Sequence, residues 1–350
     1  MPHKKTLFII GAGCSLHYKD ATHGINHFIS PTNQNFFSML KLLLDNTTTD
    51  SENKINNLFK YLCNSRGIPY EIDRSYLKEK FNDMEEVITD LSIKTSLFEP
   101  LNNNENLLLF NLLKELIAYT FGRALYGPIS NEFKKLVRLM EPNDVIIIFN
   151  YDLLIENSLS SIKRFNPNGY QLEYCKEYKD DVWTKQHKES LINIYKLHGS
   201  INWIQCIDCN SLFILDKEDF NKNVFVSKKI NKIICPKCKE KNTFNRLIIP
   251  PTLSKNYNEN PFRSLWRNAE KKIVDIDRIA SLGYSLPTTD YATRTLLRSI
   301  NKIDPKKEIS LLTMNRYHHA QEQFQKLLPN IKKTLRSKNI SEFVKAFKKL

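Results

Sequence analysis

Six short apolar runs, each closed by glycine, proline or a polar residue, constrain this chain more than any other feature. They occupy residues 4–10, 145–149, 191–197, 244–249, 278–283 and 309–314, and they end at Gly11, Asn150, His198, Pro250-Pro251, Gly283 and Asn315. None approaches the roughly 18 apolar residues of a membrane span. The β-branched character of the first two favours strands buried on both faces. Between the first two runs the pattern changes to helical spacing, as in Ile55, Leu58, Phe59 and Leu62 or Val87, Ile88 and Leu91. Strands alternating with helical segments predict an α/β fold with a Rossmann-like, doubly wound parallel sheet. The expected division is a sheet lobe over 1–35, 141–200 and 244–325, a helical insertion over 36–140, a zinc ribbon over 201–243 and a basic C-terminal helix over 326–350.

Ligands of such sheets bind beyond the carboxyl ends of the strands. Gly11, Asn150, His198, Ser285 and Asn315 all fall there. Gly11-Ala12-Gly13 opens like a dinucleotide fingerprint, because small residues let backbone N–H groups approach a pyrophosphate. The dehydrogenase version is excluded: Leu16 occupies the third small position, and Asn33 and Gln34 stand where an acidic residue is needed. A tight strand-to-loop turn is the alternative. Ser15 either donates to a phosphate or caps a turn. Asn150 and Asp152 read as site residues or as helix caps, and His198, before Gly199-Ser200, as a general base or a structural histidine.

Cys206-x-x-Cys209 and Cys235-x-x-Cys238 supply four thiolates for a tetrahedral zinc site. With no open position the metal is expected to be structural. Cys14, Cys63 and Cys175 read as structural thiols, His23 and His27 as loop surface, and Trp203, Trp266 and Tyr284 as packing residues. Metal-type cysteine spacing and an N-terminal apolar run too short for a signal peptide predict a cytoplasmic protein without a membrane partner. A net charge of +14 reads as a lysine-rich solvated surface, with nucleic-acid contact left open. Its one concentration is Lys332, Lys333, Arg336, Lys338, Lys345, Lys348 and Lys349.

The ordered strings resemble the sirtuin (SIR2) family. Gly11-Ala12-Gly13-Cys14-Ser15 is similar to its GAG-x-S, Asn150-Tyr151-Asp152 to its N-I-D, and Leu197-His198-Gly199-Ser200 to its HG segment. The four cysteines resemble its zinc ribbon, Gly283-Tyr284-Ser285-Leu286 its GTSL, and Asn315 the end of its I-N strand. The deacylase segment S-G-I-P-D-F-R is missing, and Phe149 stands where a glutamine usually precedes the asparagine. The F-N-Y-D, L-H-G-S and G-Y-S-L-P versions look like SIR2-like proteins of bacterial antiviral defence. That resemblance implies hydrolysis of NAD+ as substrate to nicotinamide and ADP-ribose, with structural Zn2+, and with a protein deacylase or ADP-ribosyltransferase as the alternative. It further implies Asn150, His198 and Asp152 as catalytic residues, and Gly11, Ala12, Gly13, Ser15, Gly283, Ser285 and Asn315 around the phosphates and adenosine. A homo-oligomer, or a separately encoded defence partner, is expected to hold the activity in check.

Overall fold

In a computed structural model, described for residues 4–18, 32, 35–44, 49–71, 80–81, 83–93, 104–124, 127–173, 176–179, 182–184, 189–215, 234–240, 244–249, 261–315 and 319–350, the chain builds two sheets. The strands are β1 (Thr6–Ile10), β2 (Val145–Ile148), β3 (Lys176–Lys179), β4 (Val182–Thr184), β5 (Ile194–Lys196), β6 (Gly199–Cys206), β7 (Leu212–Leu215), β8 (Phe244–Ile248), β9 (Arg278–Leu282), β10 (Ile309–Met314) and β11 (Ile331–Ser337). The helices are α1 (Ala12–Ser15), α2 (Phe36–Leu44), α3 (Thr49–Ser65), α4 (Met84–Ile93), α5 (Asn104–Ala124), α6 (Asn131–Val137), α7 (Leu154–Ser161), α8 (Phe262–Ile273), α9 (Tyr291–Arg298), α10 (His319–Leu327) and α11 (Ile340–Phe347).

The larger sheet is wholly parallel, in the order β11-β10-β9-β1-β2-β5. Counted along the chain this is the 3-2-1-4-5-6 arrangement, whose direction of winding reverses between β1 and β9. Alternate residues feed two cores, because successive side chains of a strand point to opposite faces. Leu7, Ile9, Ile147, Ile279 and Leu311 pack with Leu265, Leu296 and Phe324 from α8, α9 and α10. Phe8, Ile10, Ile146, Ala280 and Leu312 pack with Phe133, Leu159 and Phe343 from α6, α7 and α11. Each such buried Leu, Ile or Phe side chain contributes about 1.5–3 kcal/mol of transfer free energy.

Three expectations about elements are corrected. Residues 244–248 form a strand, but it pairs antiparallel with β6 in the smaller sheet, ordered β4-β3-β7-β6-β8. Residues 326–350 are not one basic helix: residues 331–337 add a sixth strand beside β10, and only α11 is helical after it. That helix packs Ile340, Phe343 and Phe347 against the sheet, with Phe347 stacked 5.4 Å from Phe8. Within the expected insertion, α2 to α5 form their own core around Phe37, Phe59, Ile88 and Leu116, whereas α6 joins the sheet face through Phe133 and Leu136. His23, His27, Cys175 and residues 250–252 lie outside the described residues.

Candidate functional site

The carboxyl ends of five parallel strands lie side by side. Gly283 N donates to Met314 O at 2.8 Å, Gly11 N to Leu282 O at 3.0 Å, Phe149 N to Ile10 O at 2.9 Å, and Leu197 N to Ile148 O at 3.2 Å. Asn315, Gly283, Gly11, Asn150 and His198 therefore follow one another along one sheet edge. Ile148 pairs with Lys196, so Asn150 and His198, each two residues further on, leave neighbouring strands at the same level.

At the β1/β9 reversal the two turns touch. Gly283 has φ +64°, and a Cβ there would sit 2.0 Å from Cys14 N; the conformation and the space both require glycine. Gly13 N donates to Gly283 O at 3.0 Å. The N–H groups of Gly11 and Gly13 are thus committed within the protein, and what these glycines supply is close approach of two turns. Ala12 and Ser285 are exposed at the rim, and Asn315 is half-buried.

The polar centre is a buried network whose proton directions are fixed. Asn150 Nδ2 donates to Gly11 O at 3.1 Å and to Ser15 Oγ at 3.0 Å. A carbonyl can only accept, so the amide orientation follows, and Oδ1 remains to meet a hydroxyl or water. Ser15 then spends its one proton on Asp152 Oδ2 at 2.8 Å, while Asp152 Oδ1 accepts Leu154 N at 3.0 Å. Ser15 therefore bridges Asn150 and Asp152, and Asp152 also closes the first turn leading into α7.

His198 is 8% exposed, and its ring lies 5.0 Å from that of Phe149, which stacks on Tyr284 at 4.6 Å. Tyr284 donates to Asp290 at 2.6 Å, and Trp266 Nε1 to Leu197 O at 3.2 Å. These aromatics, with fully buried Trp203, are packing residues. Burial, reinforced by the Asp152 charge, pushes the Cys14 thiol far above its ordinary range, which fits an inert structural cysteine.

The four cysteine sulfurs lie within 4.8 Å of one another, with Cys206 and Cys238 3.6 Å apart and Cys209 and Cys235 3.7 Å apart. Zinc at ~2.3 Å from each thiolate in tetrahedral geometry spaces sulfurs by ~3.8 Å, so the cluster fits that ion. Asn210 N donates to Cys206 O and Lys239 N to Cys235 O, both at 2.9 Å, and both residues have positive φ, giving two matching knuckles.

Two buried charges were not singled out from the sequence. Lys196 Nζ donates to the Asp152 carbonyl and pairs with Glu156 Oε1 at 2.7 Å. The available signal was a lysine inside the 191–197 apolar run and a glutamate after Leu153-Leu154-Ile155.

A family model described as a SIR2-like domain matches residues 144–341. Among solved structures, the chain is similar to one described as "The Structural basis for Sirtuin Substrate affinity", at 13% identity over 99% of this chain and 92% of the other, with a TM-score of 0.40. Another, "Structural Basis for the Mechanism and Regulation of Sir2 Enzymes", aligns at 15% identity over 100% and 95%, also at 0.40. A third, "Sir2-p53 peptide-NAD+", aligns at 13% over 99% and 92%, at 0.40. No curated protein matches. Among the described residues no helix is long and apolar enough to cross a membrane.

Proposed function

This chain belongs to the SIR2-like domain family, and from that premise we propose that it binds NAD+ across the β1/β9 crevice and hydrolyses the nicotinamide–ribose bond. The observation that carries this reading is the buried Asn150–Ser15–Asp152 network at the point where the sheet reverses, with His198 just past the end of the strand beside β2. In the proposed reaction a water oxygen bonds to the ribose carbon as the carbon–nitrogen bond breaks. The bonding pair leaves with nicotinamide, which departs neutral and needs no general acid. The water proton passes to His198, directly or through a ribose hydroxyl, and then to solvent, so the products are nicotinamide, ADP-ribose and a proton. Asn150 Oδ1 accepts from the ribose or water. Each Asp152 oxygen keeps an acceptor site for the nicotinamide carboxamide. Ala12, the glycine turns, Ser285 and Asn315 line the phosphate and adenosine end.

The F-N-Y-D, L-H-G-S and G-Y-S-L-P segments support a role in depleting NAD+ during antiviral defence, with self-assembly or a separately encoded partner restraining the enzyme. The cysteine cluster would hold a structural zinc ion. The test is to incubate purified protein with NAD+ and no acyl-peptide and to separate the products by chromatography. Equimolar nicotinamide and ADP-ribose are expected. Turnover that requires an acyl-lysine peptide, or ADP-ribose found only on protein, would transfer the assignment to a deacylase or a transferase.

A further inference from the structure

Lys196 and Glu156 are the most deeply buried ion pair among the described residues, with side chains 0% and 5% exposed. Lys196 precedes His198 by two residues and ends β5; Glu156 lies in the first turns of α7, four residues after Asp152. Burial pushes the Glu156 carboxyl up, against the downward pull of the Lys196 ammonium beside it. Among the described residues, no donor reaches Glu156 Oε2. A buried ion pair is often no more stabilising than well-packed apolar residues of similar volume, so stability alone does not account for two charges here. What the ammonium does provide is a tie. It joins the end of β5, two residues before His198, to the carbonyl of Asp152, the same residue whose carboxylate takes the Ser15 proton.

We propose that Lys196 and Glu156 are positioning residues that fix the 150–152 turn against the end of β5 and the His198 turn that follows it, a role that rests on the NAD+-cleavage reading above. The test uses the full chain with Lys196→Met and Glu156→Met combined. Removing both charges together avoids leaving either one buried alone. Expected are a melting temperature within about 4 °C of wild type, an ADP-ribose affinity by calorimetry within about twofold, and a kcat for nicotinamide release lowered about tenfold or more. Wild-type kcat in the folded double variant would overturn the proposal, as would ADP-ribose affinity falling as far as kcat. Should the double variant not fold, Glu156→Gln, which keeps the shape, is expected to lower kcat about threefold with ADP-ribose affinity unchanged, and wild-type kcat there overturns it. Failure of the hydrolysis reading looks different: wild type binds NAD+ and releases no nicotinamide. Positioning is then read from binding, where the double variant must lose NAD+ affinity relative to ADP-ribose, and an unchanged ratio overturns it. A wild type that binds neither nucleotide rejects both.

Discussion

Ser15 holds Asn150 and Asp152 in one arrangement because it has a single proton and that proton goes to the carboxylate. Ser15→Ala removes a charge-assisted hydrogen bond worth about 1.5–3 kcal/mol from a buried site. It should lower kcat for nicotinamide release by roughly 100-fold, since a catalytic amide displaced by an ångström costs about that much. Asn150→Ala and His198→Ala should abolish turnover while leaving the protein folded by circular dichroism, with melting lowered in Asn150→Ala because Gly11 O and Ser15 Oγ lose their buried donor; wild-type rates in both would reject their assignment. Gly283→Ala tests the close approach of the two turns. With a Cβ only 2.0 Å from Cys14 N and φ at +64°, it should lower stability by more than about 2 kcal/mol or prevent soluble expression. At this scale the sequence was readable where polar residues interrupt apolar runs, which is how Asn150 and His198 stood out. Hydrogen-bond direction was not readable: Ser15 could serve a phosphate or a turn until its partners were known. Lys196 was hidden for another reason, because one lysine inside a short apolar run reads equally as the solvated end of a strand.

Two knuckles from different elements, one joining β6 to β7 and the other before β8, bring the four cysteines together. Among the described residues the core around the sulfurs is small, formed by Ile204, Phe213, Leu215 and Phe244. Zinc held by the four thiolates, as proposed, would supplement this small core, and its binding free energy would contribute to folding. Cys235→Ser, or prolonged treatment with a strong chelator, should lower the melting temperature by several degrees and release about one equivalent of zinc per chain, measured by a metallochromic dye. A chain purified with stoichiometric zinc that keeps its melting temperature when stripped would reject the structural role. The cysteine pairs were plain from their spacing. Element identity was plain only where periodicity was clean. Ile331-Lys332-Lys333-Thr334-Leu335-Arg336-Ser337 carries the lysines that blunt an exposed sheet edge, so an edge strand presents itself as a basic helix. The 244–248 run has strand chemistry, but nothing local to a strand says which sheet it joins.

Three cores meet at the turn after β2: Phe149 belongs to one, Leu154 and Ile155 to another, and Tyr151 and Leu153 to the third. The helical core of α2 to α5 also takes in Tyr151 and Leu153 from the turn after β2, Ile201 from β6 and Ile248 from β8. Tyr151 is its pivot: its ring meets Phe121 edge-on at 5.7 Å, its hydroxyl donates to Ile249 O at 2.6 Å, and its carbonyl accepts Ile201 N at 3.1 Å. The α/β class followed from alternating patterns, but this meeting point joins residues nearly a hundred positions apart, which no local pattern encodes. One ion pair spans the same junction. Arg246 on β8 has a side chain with no solvent exposure and holds Glu115 of α5 through Nε at 3.0 and 3.1 Å, while Nη1 donates to Ile201 O at 2.7 Å. Glu115 keeps 30% exposure, so the two partners are unequal. Glu115→Ala leaves a guanidinium buried without its carboxylate and should cost about 3–5 kcal/mol, whereas Arg246→Met leaves a carboxylate that can turn to water and should cost less than about half of that. Chemical denaturation of both variants checks the order. Because the α5 contact also supports Tyr151, Glu115→Ala should lower nicotinamide release before global unfolding begins. Equal destabilisation by the two substitutions, or full activity up to the unfolding transition, would mean that the helical core and the site are not coupled through this junction.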